Sequence, residues 1–514
     1  MSKISGIDEL RLGVRAGFPM FYCETIEPER CKAAIEAMVR EALPSFGIYN
    51  WDSEISNPDE LIMSYDPNDE AEAQAVINSE TYQKKSLEGT PNMSIWIAKN
   101  LNWFIRDDMG DRNKEIMQYL QNRHAIFARS ANRKVLVIMS DEPFELAIPE
   151  AIQKLFMPIR FDLPNPKELE SYANDIIESV KSSKSFTPPE DLGPIIESCR
   201  GMTAVEAMNA MSFSLLKSGG RLDPESIAML RSKEIEKIPG LSVAETNGNL
   251  DEPQGYDVIK EFILSTIDHP NSKGLILLGP PGTGKSLLSK WIGKTNSRIM
   301  FEVELAQMMG DGLLGQAEKA MARFIDVIKA TGRCILFVDE IEKGLSGVGG
   351  QSGDGGATKR SMGQFLKFLS DGRPQGVYVI ATCNNIQSLP PEWVRAERWD
   401  SAPFFIDLPG EPERQAILDY YLSKFGVQVG KNFGVKQMEG WSGAEIKSVC
   451  RIAQMYGRTC AEVKQFVIPV SQTMGAEIKQ LREWADGKTI PASVKVPKAK
   501  AVKTDAGELA IDLN

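Results

Sequence analysis

The segment GPPGTGKS, residues 279–286, has the residue types and spacing of a phosphate-binding loop. It fits the pattern G-x-x-x-x-G-K-[ST] and lies between an apolar run and a segment with helical periodicity. Its glycines would let backbone N–H groups face phosphate oxygens, and the following helix N-terminus would add its positive dipole end. Lys285 would contact the β- and γ-phosphates, and the Ser286 hydroxyl would ligate Mg²⁺. A structural glycine turn is the alternative. The predicted nucleotide-binding residues of this loop are Gly279, Pro280, Pro281, Gly282, Thr283, Gly284, Lys285, Ser286 and Leu287.

Two acidic residues end the apolar run RCILFVDE, residues 333–340. After a phosphate-binding loop, such a pair predicts metal and water chemistry. Asp339 would hold Mg²⁺ through its water shell, so Ser286 and Asp339 are the predicted metal-binding residues. Glu340 would polarise an attacking water as the general base of hydrolysis.

Three further polar residues follow the next apolar run. Asn384, in ATCNN (381–385), is predicted to orient the attacking water, and a plain turn asparagine is the alternative. Arg395 and Arg398 lie three residues apart in SLPPEWVRAERWD (388–400), where nothing nearby in sequence could use two fixed cations. They are either surface ion pairs or half of a site whose other half lies elsewhere.

The elements that must position these residues predict an α/β fold. Near-continuous apolar runs that alternate with helical patterns indicate buried parallel strands. The second half contains KGLILLG (273–279), IMFEVEL (299–305), RCILFVDE (333–340), GVYVIATC (376–383) and APFFIDLP (402–409). The first half contains FPMFYCE (18–24), GIYNWD (47–52), SIWIAKN (94–100), KVLVIMS (134–140) and PIRFDLP (158–164). We interpret this as two copies of one architecture, and coincidence of generic α/β patterning is the alternative.

The two copies differ in chemistry. The first apolar run of the first copy leads into a helix without a Gly-rich turn. The third run ends in Ala98-Lys99-Asn100 in the first copy and in Val338-Asp339-Glu340 in the second. RGMTAVEAM (200–208) nevertheless echoes EGWSGAEIK (439–447), which predicts that each copy ends in a helical lid. The first copy is therefore predicted to keep the shape without the site.

Together these motifs, from about residue 246 to 485, resemble the AAA family of ATPases within the AAA+ class. The resemblance implies that Asn384 is the sensor 1 residue and that Arg395 and Arg398 are paired arginine fingers. It also implies that Gly443 and Ala444 pack near the adenine. Fingers act on ATP bound by a neighbouring subunit, so the resemblance further implies a ring, usually a hexamer.

Nearly the whole chain also resembles AAA proteins encoded as a hypothetical reading frame in plastid and cyanobacterial genomes. The fold class expected is a P-loop NTPase AAA+ core with a helical lid, preceded by a degenerate AAA-like α/β domain with its own lid. The predicted domains are the degenerate domain (1–165), its lid-like region (166–240), a linker (241–255), the ATPase α/β subdomain (256–410), its lid (411–486) and a disordered tail (487–514).

Composition limits the alternatives. The 514 residues carry a net charge of −11, which argues against bulk attraction to nucleic acid. The chain has no apolar run long enough to span a membrane. Seven scattered cysteines indicate thiols in a reducing compartment, and two histidines leave little scope for histidine chemistry. The expected location is the cytoplasm, or the plastid stroma if the gene is plastid-encoded.

The loop after the second strand departs from the pattern of protein-threading motors. Leu313-Leu314-Gly315 stands where those motors carry an aromatic residue, an aliphatic residue and glycine. Leucine presents less rigid contact area than an aromatic ring. The sequence therefore predicts an ATP-hydrolysing ring that remodels a protein client, with Leu313 and Leu314 as client contacts. A nucleotide-switched assembly platform with slow hydrolysis is one alternative, and a nucleic-acid motor is the weaker one.

Overall fold

The computed structural model describes residues 5–52, 61, 79, 86–105, 111–129, 133–182, 186–244, 250–296, 298–309, 316–345, 355–385, 389–395 and 397–493. Two compact units make up the chain. The first comprises residues 1–242, 307–332 and 350–368, and the second comprises residues 243–306, 333–349 and 369–514. Leu313, Leu314 and residues 494–514 of the predicted tail lie outside the described residues, whereas residues 487–493, predicted as part of that tail, are described.

The first unit contains a parallel sheet, with five strands among its described residues. They are β1 Met20–Glu24, β2 Gly47–Asp52, β3 Ser94–Lys99, β4 Lys134–Ser140 and β5 Met157–Arg160. Their order across the sheet is β2-β3-β4-β1-β5. In the register, Met20 lies opposite Leu136, and Cys23 lies opposite Ile159.

Helices cover both faces of this sheet. They are α1 Gly6–Ala16, α2 Pro28–Ala42, α3 Asp111–Phe127, α4 Phe144–Ala147 and α5 Glu150–Gln153. Because side chains alternate along a strand, Phe21 packs in the core with Leu10 and Ile35, whereas Tyr22 packs in the other core with Ile116. This three-layer arrangement buries both faces of the sheet, as parallel sheets require.

A helical cluster follows the first sheet. Its helices are α6 Pro166–Val180, α7 Gly193–Cys199, α8 Ala204–Lys217 and α9 Pro224–Ile235. Helix α8 begins with a capping box, in which Thr203 accepts from the N–H of Glu206 and the Glu206 carboxylate accepts from the N–H of Thr203. Leu169, Met211 and Ile227 belong to the core of this cluster.

The second unit contains the second parallel sheet. Its elements, up to β11, are β6 Leu241–Val243, α10 Asp257–Thr266, β7 Gly274–Leu278, α11 Lys285–Thr295, β8 Ile299–Val303, α12 Leu305–Met308, β9 Cys334–Val338, β10 Val377–Cys383 and β11 Phe404–Phe405. The divisions between the units after Ser242 and after Ala306 fall within β6 and α12. Two helices between these strands in sequence, α13 Gln316–Thr331 and α14 Gly355–Lys367, are part of the first unit. The strand order is β12-β11-β7-β10-β9-β8-β6, where β12 is Ile490–Pro491.

The two sheets share one topology. The five principal strands are β1–β5 in the first sheet and β7–β11 in the second. When they are numbered from one to five in chain order, both sets lie across the sheet in the order 2-3-4-1-5. Helices α10 and α11 pack on one face of the second sheet, where Ile263 and Leu288 join Leu277 and Phe337 in one core. The prediction of a P-loop-type α/β core preceded by a degenerate copy is therefore confirmed.

A second helical cluster ends the described chain. It comprises α15 Glu411–Phe425, α16 Gly443–Tyr456, α17 Cys460–Val463, α18 Val470–Thr473 and α19 Gly475–Ala485. Helix α16 begins with a capping box between Ser442 and Glu445, like the box at Thr203 and Glu206. The sequence echo between the two halves thus marks the same helix start in each lid.

Charged contacts hold α13 in the first unit. Asp326 on this helix pairs with Arg160 at the end of β5, at 2.8 Å. Arg160 also pairs with Glu24 at the end of β1, at 3.5 Å. Burial raises the pKa of the Glu24 carboxyl to about 7, although Arg160 opposes the rise.

No helix among the described residues is long and apolar enough to cross a membrane.

Candidate nucleotide site

The phosphate-binding loop joins β7 to α11. Gly282 and Gly284 have φ of 78° and 89°, in the left-handed region that favours glycine. A Cβ on Gly282 would also lie 2.9 Å from Ser442 Oγ. Gly284 directly precedes α11, so the amides of the helix's first turn have no partners within the helix and are available to an anion.

Lys285 is almost completely buried behind this loop. Its ammonium donates to the carbonyl oxygens of Gly279 at 2.7 Å and Pro280 at 2.9 Å. Burial lowers the pKa of Lys285 to about 8, despite nearby acidic groups that raise it. The loop itself thus holds the lysine at the lining of the cavity.

Ser286 and Asp339 lie next to each other. The Ser286 hydroxyl donates to Asp339 Oδ2 at 3.5 Å. A hydroxyl and a carboxylate are the hard oxygen ligands that Mg²⁺ prefers, so the two residues fit the predicted metal site. No cluster of three or more His, Cys, Asp or Glu that could hold a metal occurs in the described part of the chain. The remaining ligands of a magnesium ion would therefore come from water and phosphate oxygens.

Glu340 lies at the end of β9 in an uncommon backbone conformation, with φ of 46°. The Asn384 side-chain amide donates to Glu340 Oε1 at 2.9 Å, and Lys343 pairs with the other carboxylate oxygen. The Asn384 N–H donates to Glu342 Oε1 at 2.9 Å. Asn384 therefore contacts the predicted general base directly, whereas the neighbouring Asn385 is exposed.

Thr382 links the two acidic residues. Its hydroxyl donates to Asp339 Oδ1 and accepts from the N–H of Glu340 at 2.8 Å. Its carbonyl accepts from Ile341 N–H at 3.0 Å. Sequence reasoning missed Thr382 because its side chain acts across two adjacent strands, a pairing that no short motif displays.

A cavity of about 350 Å³ lies beside the phosphate-binding loop, Asp339 and Glu340. The predicted residues that line it are Pro281, Gly282, Thr283, Gly284, Lys285, Ser286, Leu287, Asp339, Glu340, Asn384, Gly443 and Ala444. The lid closes on the loop through Ala444 N–H, which donates to Gly282 O at 3.1 Å. Gly279 and Pro280 contribute through the carbonyls that hold Lys285.

Other walls of the cavity were not predicted. They are formed by Glu252, Pro253, Gln254, Tyr256, Ile417, Tyr421 and Lys447. The Tyr256 hydroxyl donates to Thr283 O, which joins this wall to the phosphate-binding loop. The segment predicted as a linker thus contributes to the site, and its polar, Gly/Pro-punctuated composition gave no sign of this.

The two arginines are not among the residues that line this cavity. Arg395 is exposed. Arg398 is partly buried, and its guanidinium donates to Ser370 Oγ at 3.0 Å and to the Glu392 carbonyl.

Comparison with known families agrees with the fold and the loop. Residues 275–405 match the family described as ATPase family associated with various cellular activities (AAA). Residues 7–161 match the SpoVK-like AAA ATPase N-terminal domain. The second half of the chain thus contains an AAA ATPase domain, and the first half contains a SpoVK-like N-terminal domain.

Two of the relatives match this chain over nearly their whole length. The uncharacterized AAA domain-containing protein ycf46 of Trieres chinensis is 27% identical, over 93% of this chain and 96% of that protein. Its namesake in Pyropia yezoensis is 28% identical, over 95% of this chain and 99% of that protein. The 26S proteasome regulatory subunit 8 of Caenorhabditis elegans is 31% identical, over 49% of this chain and 61% of that protein.

Proposed function

We propose that this chain hydrolyses ATP and that Glu340 is the general base. The observation that carries the proposal is the arrangement of Glu340 in the cavity beside the phosphate-binding loop, with its carboxylate bonded by Asn384. A carboxylate in that position can accept the proton of a water aligned on a γ-phosphate. Ser286 and Asp339 lie next to each other in the same cavity and would supply oxygen ligands for the Mg²⁺ that such a reaction needs.

Each of the site residues has a separate role in the proposed mechanism. The amides of residues 282–286 would bind phosphate oxygens, and Lys285 would leave the Gly279 and Pro280 carbonyls to contact them. Bound Mg²⁺, held by Ser286 and Asp339, would neutralise charge on the phosphates. Glu340 takes the proton from water, and Asn384 aligns both partners.

We further propose that the active form is a ring, with six subunits as the expected number. Arg395 and Arg398 would act on the nucleotide of the neighbouring subunit, because the cavity of their own chain is lined by neither. The exposure of Arg395 supports that role. A relative named as a regulatory subunit of the proteasome, a multi-subunit assembly, also supports it.

The output we propose is remodelling of a protein client. The second half would supply the ATPase subdomain (256–410) and its lid (411–486). The first half, residues 1–165 with the lid-like region 166–240, would serve as scaffold or client-binding module. Leu313 and Leu314 remain the proposed client contacts. The proposed location is the cytoplasm or, for a plastid-encoded chain, the stroma.

A nucleotide-switched assembly platform is the second candidate. The observation that favours it is the Lys343 ion pair with Glu340, because a base neutralised by an ammonium polarises water poorly. In this alternative, ATP binding drives assembly and hydrolysis is slow.

One experiment separates the two candidates. Phosphate release is measured beside the molar mass in solution, with ATP, with ADP and without nucleotide. Remodelling predicts ATP-dependent rings that turn over continuously and faster with client. The switch predicts ATP-dependent rings with turnover near zero. Absence of ATP binding would contradict both.

A further inference from the structure

Asp251 is a buried carboxylate in the segment between β6 and α10, and only 6% of its side chain is exposed. Lys447 donates to its Oδ2 at 2.7 Å, and the Tyr421 hydroxyl donates to the same oxygen at 3.0 Å. Lys424 donates to Oδ1, and the Tyr420 hydroxyl lies 3.5 Å from it. A buried carboxylate is tolerated when it is fully bonded in this way.

The partners of Asp251 come from two lid helices. Tyr421 and Lys424 lie on α15, and Lys447 lies on α16. Burial raises the pKa of Asp251, but the hydrogen bonds from Lys424, Lys447 and Tyr421 outweigh it and lower the pKa to about 2. The carboxylate is therefore charged at any working pH, and it joins both lid helices to the chain that precedes the ATPase core.

The other end of the same segment is fixed to the phosphate-binding loop. Tyr256 donates through its hydroxyl to Thr283 O, and its N–H donates to Ser493 Oγ at 3.2 Å. Residues 252–254, which line the cavity, are thus held between two anchors, Asp251 on the lid and Tyr256 on the loop.

The wall formed this way has the chemistry of a base site. Lys285, Ser286 and Asp339 define the end of the cavity that would take phosphates. The rest of the lining includes apolar and aromatic side chains, namely Pro253, Ile417, Tyr421 and Ala444, beside the polar Glu252, Gln254 and Lys447. Such a surface fits the flat faces of a nucleobase.

We propose that Asp251 is a positioning residue for the nucleotide base: it latches the 252–254 segment to the lid so that the base site exists before nucleotide binds. This inference rests on the proposed nucleotide function. Asp251 acts through Tyr421 and Lys447, since both bond its carboxylate and both line the cavity. The contacts that hold Lys285 in the phosphate-binding loop do not involve Asp251.

The test compares a ligand that has a base with one that lacks it. Binding of Mg·ADP and of Mg·pyrophosphate is measured by calorimetry or by competition, for the full-length wild type and Asp251→Asn. The amide cannot satisfy two ammonium groups, so the affinity for ADP should fall about tenfold or more. Pyrophosphate affinity should stay within about twofold, because only the phosphate-binding loop contacts it. Equal losses for both ligands, or an unchanged ADP affinity, would overturn the latch.

A second variant keeps the test decisive if Asp251→Asn does not fold. Lys424→Met removes one partner of the carboxylate, and Lys424 does not line the cavity. It should reduce ADP affinity selectively and in the same direction, and a selective loss supports the latch. A Lys424→Met protein with wild-type affinity for ADP contradicts it. The matched control is Asp419→Asn, an exposed carboxylate on the same helix that bonds only Gln415 among the described contacts, and it should change neither affinity.

The wild type separates failure of the latch from failure of the proposed function. If wild-type protein binds neither ADP nor pyrophosphate, the proposed nucleotide site itself is wrong. If it binds ADP more tightly than pyrophosphate and Asp251→Asn keeps that difference, only the latch is wrong.

Discussion

Glu340 and Asn100 adopt the same left-handed backbone conformation, with φ of 46° and 57°, at the ends of corresponding strands. Glu340 follows β9 and Asn100 follows β3, each the third principal strand of its sheet in chain order. Residues other than glycine adopt this conformation rarely. The first unit therefore retains the turn that presents the proposed general base in the second unit, but the amide of Asn100 cannot take a proton from water.

Because the segment after β1 in the first unit has no phosphate-binding loop, we predict that each chain binds one nucleotide. The segment after β1 has no Gly-rich loop, so within the described residues the proposed phosphate site is the loop of the second unit, with its amides and Lys285. Calorimetric titration with Mg·ADP should give a stoichiometry of about one per chain, and Lys285→Ala should abolish the binding. Two sites per chain, or residual binding in Lys285→Ala, would show that the first unit also binds nucleotide.

Thr382 is predicted to set the catalytic rate. Replacement by valine keeps the shape but removes the hydroxyl that bonds Asp339 and accepts the Glu340 N–H. An N–H left without its acceptor costs about 1–3 kcal/mol, so kcat should fall about 5- to 150-fold with little change in KM for ATP. Thr382→Ser keeps the hydroxyl and is the matched control. Steady-state kinetics that find the valine and serine variants equally active would remove Thr382 from this role.

The buried lysine predicts proton uptake on nucleotide binding. In the free protein, burial lowers the pKa of Lys285 to about 8, whereas phosphates favour its charged form. Binding of Mg·ADP at pH 8 should therefore take up about half a proton, and at pH 7 about a tenth. Affinity should fall as the pH rises above about 8. Calorimetry in buffers of different ionisation enthalpy measures the uptake.

The lowered pKa of Lys285 also determines how the stability of the folded protein changes with pH. Between about pH 8 and 10.5 the unfolded chain binds more protons at this lysine than the empty folded protein does. Burial of Lys285 therefore destabilises the folded protein less as the pH rises through this window.

Lys285→Arg, whose side chain stays charged, is the control for the calorimetric measurement of proton uptake. A wild-type binding enthalpy at pH 8 that does not depend on the buffer would contradict the assignment.

Arg395 is predicted to act across a subunit boundary. Arg395→Ala should lower kcat by about 10³-fold or more while nucleotide affinity stays within a few fold, because a finger stabilises the transition state. Arg398→Ala should lower kcat too, and it should also lower the melting temperature because its guanidinium bonds Ser370 and Glu392.

Mixing two inactive variants tests where the finger acts. Lys285→Ala subunits retain the arginines, and Arg395→Ala subunits retain the phosphate-binding loop. A mixture should therefore regain hydrolysis at the interfaces that combine one intact half from each. A mixture as inactive as its two components would place Arg395 outside a shared site.

Much of the architecture follows from local sequence. Apolar runs such as KVLVIMS and RCILFVDE become strands β4 and β9, because continuous burial on both faces requires that composition. The loop glycines and the capping boxes at Thr203 and Ser442 are equally local, so their patterns predict turns and helix starts directly. Asn384 contacts Glu340, as its predicted role in orienting the attacking water requires, and the catalytic roles of both stay predictions.

Other parts of the site depend on contacts that are distant in sequence. Asp251 meets Lys424 and Lys447 only after the lid folds, and nothing in the polar segment around it indicates that partnership. The assignment of α13 to the first unit is similar, because its contacts there, such as the pairing of Asp326 with Arg160, join residues that are distant in sequence. Hydrophobic periodicity predicts helix α13 but not the residues against which it packs.

The most direct test of the central claim is the Glu340→Gln variant. Glutamine keeps the shape of the side chain and can still bond Asn384, but it cannot accept a proton at neutral pH. The variant should bind ATP with an affinity within a few fold of the wild type and should hydrolyse it about 10²- to 10⁴-fold more slowly in single-turnover assays. Glu439→Gln, an exposed position in the lid, should behave like the wild type. Wild-type hydrolysis by Glu340→Gln would contradict the account.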